Sequence, residues 1–355
     1  MNQMIKIGYN NSTKHYGSHT HYEKPDRVNF CVDRLKKEFD EKYFMNPNSN
    51  SIDINDLMKI IKLVHNQEYI NRMKNFKSKS FICRNCSKKN MFREEKTFEE
   101  ALEKKNNCTS CDAVLDFDNL FCYASIDTYY TYHTFQIALE AIGVVKNLLD
   151  LMISNDMKYT FGLIRPPGHH CNNDPNGFCV FNNVMIGAKY AQEIGFKSVL
   201  ILDVDFHHGD GTQKLIEANP DPNISFVSIH GYGDVIYPGT GGESNLKQNI
   251  LNIPLAMTPH LESRIYITDD YYQELLDSQV FPFINNIKPE LIIVSLGFDA
   301  HKDDPLEGMA ISDLTYIYLT LKLKQLNKPV MFVLEGGYNI KTIGRIIPKM
   351  IEILG

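Results

Sequence analysis

The chain of 355 residues is long enough for one large α/β domain or two smaller ones, and length alone does not separate these. With 43% hydrophobic and 23% charged residues it can bury a large core and remain soluble, which excludes a disordered or fibrous chain. Its 37 Lys and Arg against 43 Asp and Glu leave a formal net charge of -6, which argues against a sequence-independent grip on nucleic acid phosphates and fits cationic substrates better.

Short runs rich in Ile, Val, Leu and Phe predict buried strands, and helical patterns lie between them. In chain order these are a strand over Ile5 to Tyr9, a helix over Asp127 to Met152 and a strand over Thr160 to Ile164. A helix over Val184 to Ile194 and strands over Ser198 to Asp203 and Ile224 to Ile229 follow. The last are a helix over Asp270 to Asn285, a strand over Leu291 to Gly297, a helix over Ser312 to Leu326 and a strand over Val330 to Leu334. Strands alternating with helices imply a mostly parallel sheet covered on both faces, whose ligands gather at the carboxyl ends of the strands. One stretch breaks the pattern. Lys77 to Asn107 is rich in Lys, Arg and Glu, shows no strand alternation and is bracketed by Cys pairs, so it is expected to be an insertion within a single domain, between about Lys77 and Val114.

No apolar run approaches the ~18 residues needed to span a bilayer, and Met1 to Asn10 lacks the apolar core and cleavage site of a signal peptide. The expected setting is intracellular, cytoplasmic or nuclear, with neither membrane nor direct nucleic acid as partner. In such a reducing compartment, eight cysteines more often hold metal than form bridges.

The chemistry concentrates after the strands. The run Asp203-Val204-Asp205-Phe206-His207-His208-Gly209-Asp210-Gly211-Thr212 follows one of them, and in an extended segment Asp203, Asp205 and His207 share a face. Gly297-Phe298-Asp299-Ala300-His301 ends another and offers a further carboxylate. An Asp/His/Asp set supplies three ligands and leaves a fourth position open, the arrangement of catalytic zinc, with Mg or Mn binding as the alternative. A third strand ends in Arg165-Pro166-Pro167-Gly168-His169-His170. If a metal polarises a carbonyl, one neutral imidazole there can take a proton from the attacking water while the other hydrogen-bonds that water, with Asp203 and Asp210 available as carboxylate partners. A fourth ends in Glu335-Gly336-Gly337-Tyr338, whose glycines let the backbone turn the phenol toward a pocket.

Taken together with Gly177-Phe178-Cys179, Asn182-Asn183, Tyr237-Pro-Gly-Thr-Gly241 and Asp304-Pro305, these motifs resemble the zinc-dependent histone deacetylase and acetylpolyamine amidohydrolase superfamily, most closely its class II branch. The resemblance begins at His21-x-Glu23-x-Pro25-x-Arg27 and runs to Tyr338, apart from the insertion. It implies an α/β fold of the arginase/deacetylase type, with Asp205, His207 and Asp299 as zinc ligands and His170 as general base and acid, backed by Asp210. It further implies that His169, backed by Asp203, hydrogen-bonds the attacking water and that Tyr338 stabilises the oxyanion. Gly177, Phe178 and Tyr237 would border the acyl-lysine channel, although Phe is more usual than Tyr at the second aromatic position. A monovalent cation, potassium, is implied at Asp203, Asp205, His207 and Ser228. Both His, the three ligands and the tyrosine speak against a catalytically silent scaffold, and an arginase-like reading needs a second metal and more bridging carboxylates.

The resemblance implies hydrolysis of an acetamide, with acetyl-lysine in proteins such as histones competing against small acetylated polyamines. The polyamine-specific branch carries Glu after Asp-Pro, whereas here that position is Leu306 and Glu307 comes next, which favours acetyl-lysine. The insertion lies outside the resemblance. Cys83-x-x-Cys86, 21 intervening residues, then Cys108-x-x-Cys111 has the spacing of a closed structural zinc site. Arg84, Lys88, Lys89, Arg93, Lys104 and Lys105 around it are expected to form a solvated face.

Overall fold

The computed structural model describes residues 5–45, 53–104, 107–154, 157–257 and 266–355; Lys105 lies outside them. Its strands are β1 (Ile5–Tyr9), β2 (Ser78–Cys83), β3 (Lys89–Lys96), β4 (Leu120–Tyr123), β5 (Tyr129–Thr131), β6 (Tyr159–Leu163), β7 (Val199–Asp203), β8 (Ile224–Tyr232), β9 (Ile250–Ala256), β10 (Leu291–Leu296) and β11 (Val330–Leu334). Seven of them form one sheet in the order β1-β6-β11-β10-β7-β8-β9, every pairing parallel. All their carboxyl ends therefore meet at one edge.

Helices cover both faces, which is why the strand runs are apolar without interruption. Leu200, Leu202, Ile292 and Val294 point to one side, where they pack with the helices Asp26–Glu38, Asp313–Gln325 and Ile340–Leu354. The alternate residues Val199, Ile201, Leu291 and Ile293 point to the other, against Thr134–Ser154 and Asn183–Glu193. None of the described helices is long and apolar enough to cross a membrane.

The remaining strands form a second sheet, β3-β2-β4-β5, with antiparallel pairings. This corrects two expectations. Lys77 to Asn107 is not free of strands, because β2 and β3 pair within it; β3 is a charged, largely exposed edge strand and so leaves no apolar alternation in the sequence. The region also shares a core with its surroundings: Phe81, Phe98, Leu120 and Cys122 join Leu57, Ile61, Tyr69, Met73 and Phe181 in a buried cluster. The helix expected from Asp127 begins only at Thr134, because Tyr129–Thr131 continues the second sheet.

A buried ionic network ties the two halves together behind the carboxyl edge. The Arg165 guanidinium clasps both oxygens of Glu23 and donates to Tyr129 Oη at 2.9 Å, His15 O at 2.9 Å and Ser12 Oγ at 2.9 Å. Arg27 reaches the same carboxylate at 3.2 Å. Burial alone would raise the Glu23 pKa, but Arg165 and Arg27 hold it well below the carboxylate range. A depressed folded pKa contributes stability above the unfolded value of ~4.3, and that contribution disappears as pH falls through the folded value. Glu23→Gln is expected to cost about 3–5 kcal/mol in urea unfolding at neutral pH, because it leaves Arg165 buried without its counter-charge. The variant's deficit should shrink as the wild type is taken toward acid; a deficit independent of pH would remove the ion pair as its cause.

Candidate active site

The edge where the parallel strands end collects the polar residues singled out above. After β7 the backbone leaves the extended path at once, so Asp203, Asp205 and His207 lie together but do not all face one point. Asp205, His207 and Asp299 converge with ligand atoms within 4.8 Å of one another, whereas the Asp203 carboxylate turns to His169. His207 Nδ1 is 3.2 Å from Asp205 Oδ1 and 3.1 Å from Asp299 Oδ2. The carboxylates are fixed from behind: Asp205 Oδ2 accepts Gly336 N at 2.8 Å and Asp299 Oδ1 accepts Phe206 N at 2.8 Å. Gly336 has to be a glycine here, since a Cβ would stand 2.3 Å from Asp299 Oδ2 and 2.5 Å from Asp205 Oδ2. Two carboxylates and an imidazole, all buried and aimed at one point, are a donor set suited to a divalent cation with ~2.0–2.2 Å bonds.

The paired histidines follow β6. Glu335 Oε2 accepts Gly168 N at 2.7 Å and His169 N at 3.2 Å, which fixes the turn that presents them. His169 Nδ1 lies 3.0 Å from Asp203 Oδ2 and His170 Nδ1 lies 2.7 Å from Asp210 Oδ1, the carboxylate partners anticipated from the sequence. Asp210 opens the helix Asp210–Ala218 and also receives Lys214 Nζ at 2.7 Å.

The two imidazoles titrate in opposite directions. Burial disfavours charge on His169, but Asp205 and Asp203 overcome it and raise its pKa to about 10. Burial and the neighbouring His169 lower His170 to about 3, so it is neutral near pH 7. Such a split between adjacent groups separates a proton acceptor from a hydrogen-bond donor.

Both face a cavity of about 220 Å³ lined also by Asp127, Pro167, Gly177, Phe178, His207, Tyr237, Leu306, Glu307, Gly336 and Tyr338. Phe178 and Tyr338 stand edge to face at 6.0 Å, and the Tyr237 ring meets His170 at 5.0 Å. The Gly337–Tyr338 turn is held by Arg27, whose Nε donates to Gly337 O at 2.5 Å and whose guanidinium lies 5.0 Å over the Tyr338 ring. Asp304 Oδ2 takes the Tyr338 amide at 2.6 Å. Ser228 pairs in register with Asp203 and its hydroxyl meets His230 Nδ1 at 2.9 Å.

The sequence reading missed Asp127, having placed it inside a helix; it lies instead in the loop between β4 and β5 at the cavity wall. The argument from Leu306 also changes. Leu306 and Glu307 both line the cavity, with Glu307 Oε1 3.7 Å from His207 Nε2, so position after Asp-Pro alone does not select a substrate. The four cysteines come together apart from this cavity.

Comparison with known proteins agrees with this architecture. Residues 21–354 match the family model of the histone deacetylase domain. The chain is 37% identical over 266 residues to histone deacetylase 14, chloroplastic, of Arabidopsis thaliana; the match covers 70% of this chain but only 59% of that relative's length. The crystal structure of the HDA15 HD domain superposes with a TM-score of 0.75 at 25% identity, covering 99% of this chain and 90% of the other. An acetylpolyamine aminohydrolase from Burkholderia pseudomallei has the same fold, with a TM-score of 0.72 at 20% identity over 99% of this chain and 98% of the other.

Gly177 provides a direct test of how tightly His170 is held. Its φ is +52°, a left-handed value, and a Cβ there would sit 2.2 Å from His170 Cδ2. Gly177→Ala should cost about 1–3 kcal/mol in thermal unfolding and break the His170–Asp210 contact, visible as a shift of the His170 ring nitrogens in NMR. Unchanged ring signals would mean that the turn yields instead of the histidine.

Proposed function

The chain belongs to the histone deacetylase domain family, and from that premise we propose that it hydrolyses N-acetyl amides, with acetyl-lysine in proteins such as histones as its substrate. The observation that carries this reading is the pair of carboxylate-backed histidines, His169–Asp203 and His170–Asp210, facing Tyr338 across a cavity lined by His207, whose ring is met by Asp205 and Asp299. Zinc held by Asp205, His207 and Asp299 would supply Lewis acidity toward the amide carbonyl and the attacking water. Potassium beside it, at Asp203, Asp205, His207 and Ser228, completes the proposed cation set near the chemistry.

The chain's own groups divide the remaining work. Neutral His170 takes a proton from the attacking water, and Asp210 stabilises the imidazolium that forms. The same proton then passes to the departing amine, so the base of the first half is the acid of the second. His169, held through Nδ1 by Asp203, hydrogen-bonds the water with its other ring nitrogen. The Tyr338 phenol, whose pKa burial raises well above the usual range, stays protonated and donates to the developing oxyanion. Phe178 and Tyr237 form apolar walls for the four-carbon stem of lysine, leaving the peptide backbone at the mouth.

A second reading, an acetylated polyamine, is favoured by one observation: the Glu307 carboxylate lines the same cavity and would pair with a second ammonium along the chain of such a substrate. Turnover of an acetyl-lysine peptide against N8-acetylspermidine by the purified protein separates the two. The peptide should be the better substrate, and Glu307→Ala should leave it nearly unchanged; a preference for the polyamine that falls ~10-fold in Glu307→Ala would install the second reading. For the chemistry itself, Tyr338→Phe should fold normally, bind substrate and lose ~10²–10³ in kcat. Wild-type turnover in that variant would take the phenol out of the mechanism.

A further inference from the structure

Cys83 at the end of β2, Cys86 in the turn after it, and Cys108 and Cys111 ahead of β4 take no part in the chemistry above, yet their arrangement is specific. Cys83 Sγ lies 3.8 Å from Cys111 Sγ, Cys86 Sγ lies 3.5 Å from Cys108 Sγ, and all four sulfurs fall within 4.8 Å of one another. A disulfide would bring sulfurs to ~2.05 Å, whereas a tetrahedral ion with ~2.3 Å bonds to sulfur sets them ~3.8 Å apart. The observed spacing is that of four thiolates around one ion.

The backbone repeats itself around this point. Cys83 N donates to Lys88 O at 3.0 Å while Ser87 N donates to Cys83 O at 2.8 Å. Cys108 N donates to Ala113 O at 2.9 Å while Asp112 N donates to Cys108 O at 3.1 Å. The residue after each second cysteine is left-handed, with φ of 59° at Ser87 and 54° at Asp112. The amides of Asn85 and Cys86 face the Cys83 sulfur, and those of Ser110 and Cys111 face Cys108. Cys-Arg-Asn-Cys-Ser and Cys-Thr-Ser-Cys-Asp share nothing but the cysteines, yet they take the same turn. Four sulfurs without nitrogen or oxygen donors favour zinc.

The cluster also connects to the cavity. Cys83 ends β2 and pairs with Leu120 at the start of β4, and β4 pairs in turn with β5. The loop joining those strands carries Asp127, which lines the cavity, and Thr128, whose Oγ1 accepts the Phe178 amide at 3.0 Å. Arg84, between the cysteines, donates to Tyr16 O at 2.6 Å and lies 3.9 Å over the Tyr16 ring.

We propose that Cys83, Cys86, Cys108 and Cys111 bind one zinc ion, and that this ion holds the β4–β5 loop in place at the mouth of the cavity. The metal half stands on the sulfurs alone; the effect on substrate rests on the deacetylase reading. The test uses the full chain. Cobalt(II) added to metal-depleted protein should give intense visible absorption with a thiolate-to-metal charge-transfer band. A mercurial thiol reagent should release one zinc per chain from the native protein and speed amide exchange over residues 120–131. The Cys108→Ser/Cys111→Ser variant should lose that ion and raise KM for an acetyl-lysine peptide by ~10-fold, while kcat on a minimal acetamide stays within ~2-fold. Absence of the charge-transfer band would overturn the site whatever the turnover. Loss of the ion with unchanged exchange over 120–131 would overturn the link to the mouth. If the double variant does not fold, the cobalt spectrum and the exchange of native protein before and after mercurial treatment decide both halves; neither depends on the chain having any deacetylase activity.

Discussion

Asp203, Asp205, Asp299 and Glu335 are fully buried at the ends of neighbouring parallel strands, and this crowding of carboxylates is the constraint around which the rest of the molecule is organised. Ionised carboxylates out of water are costly unless each is answered by hydrogen bonds or positive charge. Burial and the charge of Asp205 push Asp299 up to about 7, and burial raises Glu335 to about 7 as well. The chain answers with main-chain amides of Gly336, Phe206, Gly168 and His169 and with the rings of His169 and His207. A cation between Asp205 and Asp299 would complete the balance. The same need accounts for the glycine at 336, where a side chain would occupy the space through which a main-chain amide reaches a ligand carboxylate.

Behind that layer, a second one sets the geometry of the groups around the cavity from outside it. Arg165 and Arg27 meet at Glu23, and from there Arg27 reaches the carbonyls of Gly337 and Glu335, on either side of the turn that presents Tyr338. Arg165 itself begins the turn that presents His169 and His170. One buried carboxylate thus places His169, His170 and Tyr338 relative to each other. The burial of Arg27 and Arg165, both 0% exposed, ensures that water does not loosen that relation.

Six strands of the main sheet were legible because both of their faces are covered, which leaves an unbroken apolar run in the sequence. The seventh was not: β9 is an edge strand whose run contains Asn252 and Pro254, and proline is tolerated there because one side of the strand needs no partner. The helix Asp26–Glu38 was passed over although Val28, Cys31, Val32 and Leu35 form its buried stripe, because charged residues dominate the rest of its length. In the site, residues within one strand-end motif were readable from spacing. Asp127 and Glu307 were not, because their importance comes from loops brought to the cavity by the second sheet and by the turn after Asp304.

The division between the two sheets has a consequence for how the site can vary. The paired histidines, the Asp205/His207/Asp299 cluster and Tyr338 follow the ends of β6, β7, β10 and β11, in the parallel sheet. At the mouth, Asp127 comes from the second sheet, Phe178 is hydrogen-bonded to it, and Leu306 and Glu307 come from a loop. Substitution at the mouth can reshape the cavity without moving the strand-end groups, whereas substitution at the strand ends disturbs carboxylates that are already crowded. Under the proposed reading, selection of the amine falls to these loop residues, and that is why the strand-end motifs are easier to read from spacing than the substrate.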